Sequence, residues 1–549
     1  MRLSTHLRTR TALGRRLEQA SRELHHRRVP KHWTNLFGIV SMACIAVLFV
    51  TGIFLMFFYT PSGDLVTYRG GYHVLEGTQV SKAFQSILHI SFTVPGGMLM
   101  RQAHHWAALL LPASLIMQLA VMFFTGGFRR PRRGSWVVLF LVFVVTLAGG
   151  WSGYGLPDDM LSGTGLRIVE GIVLGIPVVG TWASFLLFGG EFPGEIIAHL
   201  YPIHVLVVPA ALLGLLAIRV ILAWVNKPAQ FAGPGRTEEN IVGEPMLPNA
   251  AVKAGGLFAT VSGILVLIAA TVTINPVWLY GPATPGDASA GSQPDWYTGF
   301  LDGALRLVPP GWEVEVLGRT WTLAIIIPLA VVSTYLAVVM LYPFIEEWIT
   351  GDRREHHILD RPRNSPTRTG IGVAGVVFYG ALWGAGSADL VTTHFRLALE
   401  GVVFFYQLSL LVGPIVAFVI TRRVCLALQK KDRSIAAHGF ETGWIFRLPG
   451  GEYIEAHQPV TSYEQWRLVA QDGPHPFRPR PNEDGHLAIV QRIRGYLSRF
   501  FFEYHLPPAG QSELVQSHRS AAAETETTHS AGTLPQAQES LGAGQSHTS

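Results

Sequence analysis

Two histidines, His104 and His204, lie in separate long apolar stretches and are the residues of this chain with the clearest chemical potential. A histidine inside a membrane-length helix costs free energy unless it has a partner. Two neutral imidazoles facing each other across a bundle can supply both axial ligands of a haem iron. Hydrogen bonds from both rings to nearby loops satisfy them equally well on spacing alone. Arg101, one helical turn before His104, favours the haem, whose two propionates need a cation at the outer edge. Fourteen residues after His104 a helix has risen about 21 Å and returned to nearly the same face, and the residue there is Gln118.

A second feature is the run Gln293-Pro294-Asp295-Trp296-Tyr297, in a long loop between two apolar stretches. Loops of that length are commonly functional or unstructured, and an aromatic-rich one beside a membrane suggests a binding site. A carboxylate there suits proton transfer, because burial tunes its proton affinity. On its own the tetrapeptide reads more readily as a turn capped by Asp295 than as a binding site.

The elements that must position these residues follow from composition. The chain has 549 residues, 49% hydrophobic and only 14% charged, with mean hydropathy +0.31, which excludes an ordinary soluble protein. Eight stretches approach the roughly 20 apolar residues needed to cross a bilayer core. They lie near Leu36–Tyr59, Gln102–Phe124, Trp136–Trp151, Tyr201–Val225, Ala254–Thr273, Leu317–Tyr342, Ile371–Ala385 and Val402–Ile420. The apolar stretch 166–188 is broken by Gly175, Pro177 and Gly180 and reads as helices lying on the outer surface. The fold class expected is an all-α integral membrane protein.

Net charge is +5, and the arginines and lysines gather before the first stretch, between the second and third, between the sixth and seventh, and after the eighth. That alternation is topology rather than nucleic-acid binding, and it puts both termini in the cytoplasm. Two cysteines, Cys44 and Cys425, with no CxxC pair, exclude covalent c-type haem, four-cysteine iron–sulfur ligation and a disulfide framework. Residues 1–34 form a basic leader without the apolar core of a signal peptide. The end of the chain is rich in Ser, Thr, Gln, Gly and Ala, as in disordered segments. His25, His26, His356 and His357, beside arginines in cytoplasmic loops, are expected to be solvated. His105 points about 100° away from His104 and is expected to face protein.

Over about residues 30–460 the chain resembles the cytochrome b subunit of quinol–cytochrome c reductases, specifically the actinobacterial type found in menaquinol-oxidising bc complexes. The likeness rests on Gly38 and Gly52, on Thr125 to Arg132, on Gly153 to Asp159 and on Gln293 to Tyr297. Beyond the last span it includes Asp432-Arg433-Ser434 through His438-Gly439, Glu441-Thr442-Gly443 and Arg447-Leu448-Pro449. It implies a haem-binding four-helix bundle over residues 35–226, a cytoplasmic linker 227–252 and a second domain 253–424 carrying the outer quinol-site loop. A cytoplasmic extension, 425–470, and a mostly disordered tail, 471–549, complete the expected organisation.

The resemblance also implies roles. The family holds two b haems, each between one histidine of the second span and one of the fourth. The outer set falls on His104 and His204 as iron ligands, Gly52 and Gly153 as the glycines beside the ring, and Arg101 as the propionate partner. The inner set falls on Gln118, Arg219, Val121 and Leu139, and only Gly38 remains. An amide is a poor iron ligand and a guanidinium has no lone pair to give. One outer haem b is therefore expected, with the inner site empty. Pro294-Asp295-Trp296-Tyr297 matches the family's quinol-site motif, with Asp295 taking a proton from menaquinol and Tyr297 and Tyr154 lining the pocket. Pro294, Trp296 and Pro157 are the expected substrate contacts.

Implied partners are a Rieske iron–sulfur subunit, a c-type cytochrome subunit and, in a supercomplex, a terminal oxidase, in a homodimeric assembly in the plasma membrane. The competing reading is a divergent, non-catalytic structural or assembly paralogue.

Overall fold

The computed structural model describes residues 12–284, 286–287, 293–461, 463, 464, 468, 475–479, 481 and 486–506. Among them are eight helices long and apolar enough to cross a membrane. They are α1 (Leu36–Met56), α2 (Gly97–Phe124), α3 (Arg133–Tyr154), α4 (Ile196–Val225), α5 (Ala251–Thr271), α6 (Leu323–Thr350), α7 (Pro366–Gly386) and α8 (Leu399–His438). In hydrocarbon every backbone N–H and C=O must be satisfied within the chain, which is why these apolar runs form helices.

The eight spans fall where hydropathy places them, with differences at the ends. The sixth begins at Leu323 rather than Leu317, because Glu313–Val316 and Arg319–Thr322 pair as an antiparallel hairpin. The alternating charges of that stretch suit a wet hairpin rather than lipid. The eighth continues well past Ile420 to His438. The broken stretch 166–188 contributes two short helices, Met160–Leu174 and Gly180–Phe188. At about 1.5 Å per residue neither spans a bilayer.

The core lies between α1, α2, α3 and α4, with α5 packed on α1 and α2. Along α2, Ala103, Ala107, Leu111 and Leu115 recur every fourth residue and are almost completely buried, forming a stripe against the bundle. In the second half α7 packs along α8, and the short helix Gly299–Arg306 wedges against α7. A Cβ on Gly303 would run into the Leu382 carbonyl. Only glycine permits that backbone approach.

At the arginine-rich end the two halves are tied by ion pairs. Arg368 of α7 meets Glu346 of α6 at 2.5 Å, both 4% exposed, and reaches Asp360 at 2.7 Å. Arg129, in the turn after α2, reaches the same carboxylate at 2.9 Å. Here the expectation for two histidines fails. His357 is 4% exposed, and His356 contacts Asp352 at 3.1 Å under the folded loop. Arg132, just ahead of α3, holds that loop inward, its Nη2 donating to the His356 carbonyl and its Nη1 lying 3.4 Å from His357 Nδ1.

The region expected to be a mostly disordered tail contains a packed helix, Ile489–Phe502. It runs against α6 and α7. The Ser-, Gln- and Gly-rich end, 507–549, lies outside the described residues.

Candidate functional site

The imidazoles of His104 and His204 face each other across the bundle, ring centroids 6.1 Å apart and planes at 65°. His204 lies in a π turn, Ile203–Val207, within α4. Such widened turns often occur where a helix presents a functional side chain.

Their hydrogen bonds settle which nitrogen is bare. Thr51 Oγ1 donates to the Val47 carbonyl at 2.6 Å and lies 2.9 Å from His104 Nδ1. Its single proton is spent on the carbonyl, so it accepts from the ring. His204 Nδ1 lies 3.1 Å from the Gly149 carbonyl and 3.1 Å from Ser152 Oγ. A carbonyl only accepts, so Nδ1 of His204 also carries its proton. Both Nε2 atoms are left with a free lone pair, the arrangement by which a ligating histidine is oriented and made more basic.

Space for a flat group comes from two glycines. A Cβ on Gly153 would come within 2.5 Å of His204 Cε1, and one on Gly52 within 3.2 Å of His104 Cε1. Arg101, 8% exposed, donates from Nη1 to the Asn275 carbonyl at 3.2 Å, and its Nε and Nη2 are buried without a partner. A buried guanidinium with two idle donors calls for an anion. Bare imidazole nitrogens, a glycine-lined slot and an unsatisfied cation at its edge all fit a haem with its propionates.

The level of Gln118 differs in every respect. Gln118 Nε2 donates to Ser41 Oγ at 2.6 Å, and Arg219 Nη2 donates to Gln118 Oε1 at 2.7 Å. Ser41 and Ser114 hydroxyls meet at 2.7 Å. Leu139 is fully buried, and a Cβ on Gly38 would meet the Gln118 amide oxygen at 3.7 Å. These groups satisfy one another, and none offers an imidazole nitrogen to iron. The residues here do not fit a haem.

The Asp295 loop packs on the same helices. Tyr297 is 1% exposed, and its hydroxyl donates to Asp295 Oδ2 at 2.8 Å. Burial, reinforced by the neighbouring carboxylate, pushes the Tyr297 phenol well above its ordinary value, so it remains a donor. His105 Nε2 lies 3.3 Å from Asp295 Oδ1. Trp296 bridges two spans, donating to the Leu109 carbonyl of α2 at 3.2 Å and accepting from Trp383 of α7 at 2.8 Å. The Gln293 amide is held by Asp389 at 2.8 Å, and Asp389 by Arg306 at 2.8 Å.

The Tyr154 hydroxyl donates to the Gln293 carbonyl at 3.4 Å, which brings Tyr154 to the foot of the loop beside Pro294. Pro157 sits three residues on, in the turn whose Leu156 carbonyl accepts from Tyr59 at 2.7 Å. An apolar cavity of about 350 Å³ opens between α3, the helix Met160–Leu174, the helix Gly299–Arg306 and α6. Trp151, Leu301, Ala304 and Pro328 are among its walls, whereas Asp295, Tyr297, Tyr154 and Pro157 are not.

Two contributors escape sequence reasoning. His105 faces protein as expected, and the unforeseen partner it meets there is the carboxylate of the loop. Gly150 gives room to Tyr297, since a Cβ there would land on the phenol. The consecutive glycines Gly149-Gly150 in an otherwise bulky helix were the available signal.

Eight apolar spans, with two imidazoles facing each other between the second and the fourth, define the class: a multi-spanning membrane protein with a buried site that fits a haem. The N-terminal half matches the family model "Cytochrome b(N-terminal)/b6/petB" over residues 109–282. The chain is 45% identical over 479 residues to the cytochrome bc1 complex cytochrome b subunit of Streptomyces coelicolor, covering 86% of this chain and 88% of that one. It is 43% identical to the corresponding Mycobacterium leprae subunit, with 78% of each covered. A hyperthermophilic respiratory Complex III chain shares the fold, with TM-score 0.55 at 18% identity over 72% of this chain and 93% of that one. The chain belongs to the family of actinobacterial cytochrome bc1 complex cytochrome b subunits, oxidoreductase subunits of the respiratory chain.

Proposed function

We propose that this chain oxidises menaquinol at the outer end of the bundle, holds a single b haem between His104 and His204, and carries none at the Gln118 level. The contrast between the two levels carries the reading. One has two bare imidazole nitrogens, a glycine slot and idle arginine donors, and the other is a closed hydrogen-bonded cluster.

Oxidation of a quinol releases two protons and two electrons. Asp295 is suited to accept one proton, since it is fixed on both oxygens by Tyr297 and His105 and is carried on a loop anchored to two spans. Tyr297 stays protonated and keeps the carboxylate oriented. Tyr154, at the foot of the loop, and Pro157 are the further contacts assigned to the quinol, and the apolar cavity suits the isoprenoid tail. A haem bound by the two imidazoles supplies a one-electron acceptor within the membrane. His104, His204, Gly52 and Gly153 hold and orient it, and Arg101 neutralises its propionates.

The other electron goes to a Rieske iron–sulfur subunit and onward to a c-type cytochrome subunit, in a homodimeric assembly that can join a terminal oxidase. The arginine clusters support a plasma-membrane orientation with both termini cytoplasmic. The idle Arg101 donors weigh against a purely structural paralogue, which has no use for them.

Two measurements test this reading. The purified complex is assayed for menaquinol-dependent cytochrome c reduction with Asp295 intact and with Asp295→Ala, and haem b is quantified per subunit. Loss of turnover in the variant and a ratio near one support the proposal. Unchanged turnover favours the structural paralogue, and a ratio near two overturns the single-haem reading.

A further inference from the structure

The helix Ile489–Phe502 buries one face against the protein and leaves an apolar stripe on the other. Gly495, Ser498 and Phe501 are buried against the protein. On the opposite side Ile489, Ile493, Tyr496 and Phe500 follow one another at helical spacing and are exposed by 74%, 51%, 65% and 39%. Such a stripe on an outward face is unfavourable in water.

The placement of the helix says what covers it. Near its start Arg494 donates to the Trp348 carbonyl, in the last turn of α6. At its other end Phe500 stacks on Phe418 of α8 at 6.1 Å. Arg422 of α8 lies 4.6 Å from the Phe500 ring and 4.1 Å from the Tyr504 ring, and pairs with Glu503 at 3.0 Å. Phe418 and Arg422 fall about 30 Å along α8 from its outer start, one hydrocarbon thickness. The helix therefore lies across the arginine-rich ends of the spans, at the depth where they leave the bilayer. Exposed apolar side chains also line the neighbouring parts of α6 (Leu341, Phe344, Trp348) and α8 (Ile415, Val419, Ile420). The sequence Ile489–Phe502 contains three arginines and no acidic residue, and Arg492 and Arg499 flank the stripe on one side. Basic residues beside an apolar face suit a leaflet with anionic headgroups.

We propose that Ile489–Phe502 is an interfacial helix that buries Ile489, Ile493, Tyr496 and Phe500 in the boundary of the bilayer, with Arg492 and Arg499 on anionic phospholipid headgroups. It makes the C-terminal segment a membrane-contacting part of the subunit rather than a free tail.

The test uses the whole complex in nanodiscs of mixed phosphatidylcholine and phosphatidylglycerol. A fluorophore is attached through Ile493→Cys or Tyr496→Cys, and, as an aqueous reference, through Trp444→Cys, which is exposed in the antiparallel hairpin of Phe440–Arg447 and Tyr453–Gln458. The haem b spectrum confirms that each variant is folded. Loss of fluorescence with acyl-chain-brominated lipid, and insensitivity to iodide, is expected at 493 and 496, with the reverse at 444. Quenching by iodide at 493 and 496 overturns the proposal in favour of a solvated helix. Protection from both quenchers overturns it in favour of a protein partner. The arginine component is read separately: Arg492→Gln/Arg499→Gln reduces lipid quenching in phosphatidylglycerol discs and leaves it unchanged in pure phosphatidylcholine. An equal effect in both removes the anionic-lipid part of the claim.

Discussion

His105 Nε2 lies 3.3 Å from Asp295 Oδ1, so the loop carboxylate touches the residue adjacent to His104. The two proposed sites thus share one turn of α2. The contact also fixes the second oxygen of a carboxylate whose first oxygen is held by Tyr297.

Removing that contact tests its value. A hydrogen bond to a charged group contributes about 1.5–3 kcal/mol, and 1.4 kcal/mol is tenfold in rate. His105→Leu is expected to lower menaquinol-dependent turnover by about tenfold to a hundredfold, against about 10²–10⁴ for Asp295→Ala. In the Asp295→Ala background His105→Leu should add little, because the shared interaction is already gone. Steady-state reductase assays on the four proteins, with haem content held as a control, decide it.

The glycines of α1 and α3 separate the two sites in a second way. Gly153→Ala places a methyl 2.5 Å from His204 Cε1, whereas Gly52→Ala leaves 3.2 Å to His104 Cε1. Haem b content, read from the reduced-minus-oxidised spectrum, should fall strongly in the first variant and mildly in the second. Gly150→Ala displaces the Tyr297 phenol instead. It should lower turnover while leaving the spectrum intact.

These relationships also show where sequence reading stops. The eight spans, the histidine pair and the Asp295 loop were legible because hydropathy and residue type act locally. His105 was not, because its helical angle says only that it leaves the His104 face, and the loop it meets is 190 residues away. Gly150 was visible as a glycine but not as a partner of Tyr297. The buried His357 and the packed helix Ile489–Phe502 were missed for different reasons. His357 is drawn in by tertiary contacts that composition does not encode, and the helix is a short apolar run inside a tail whose overall composition is polar.

The Asp360 cluster predicts an acid limit. Burial acts to raise the Asp360 carboxyl, but Arg129 and Arg368 outweigh it and hold the group at about 2, below its ordinary value of 3.8. A depressed folded-state value means the stabilisation is fully present above about pH 4 and is lost as pH falls toward 2. Hydrogen exchange over Ile358–Ser365 should therefore be flat from neutral pH to about 4, after correction for intrinsic rates, and rise below it. Asp360→Asn should remove the step and raise exchange at neutral pH.

The Gln118 level gives the last prediction. Gln118→His with Arg219→His supplies two imidazoles but leaves a fully buried Leu139 at the position where the family resemblance implies a glycine beside the ring. The double variant should keep a haem-to-protein ratio near one. Adding Leu139→Gly and Val121→Arg supplies the cleft and a cation, and only then should a second b-type spectrum appear. A second haem in the double variant alone would show that Leu139 moves aside readily and that ligand loss is the sole barrier. The hydrogen bonding predicts an asymmetry as well. Arg219→Leu removes a charge and leaves Gln118 bonded to Ser41, whereas Gln118→Leu strands Arg219 in the membrane without the acceptor it now has at 2.7 Å. Leaving a buried charged donor unmet costs more than losing the pair. Thermal unfolding of the detergent-solubilised complex should therefore fall further for Gln118→Leu than for Arg219→Leu, and the reverse order would mean that Arg219 finds another acceptor.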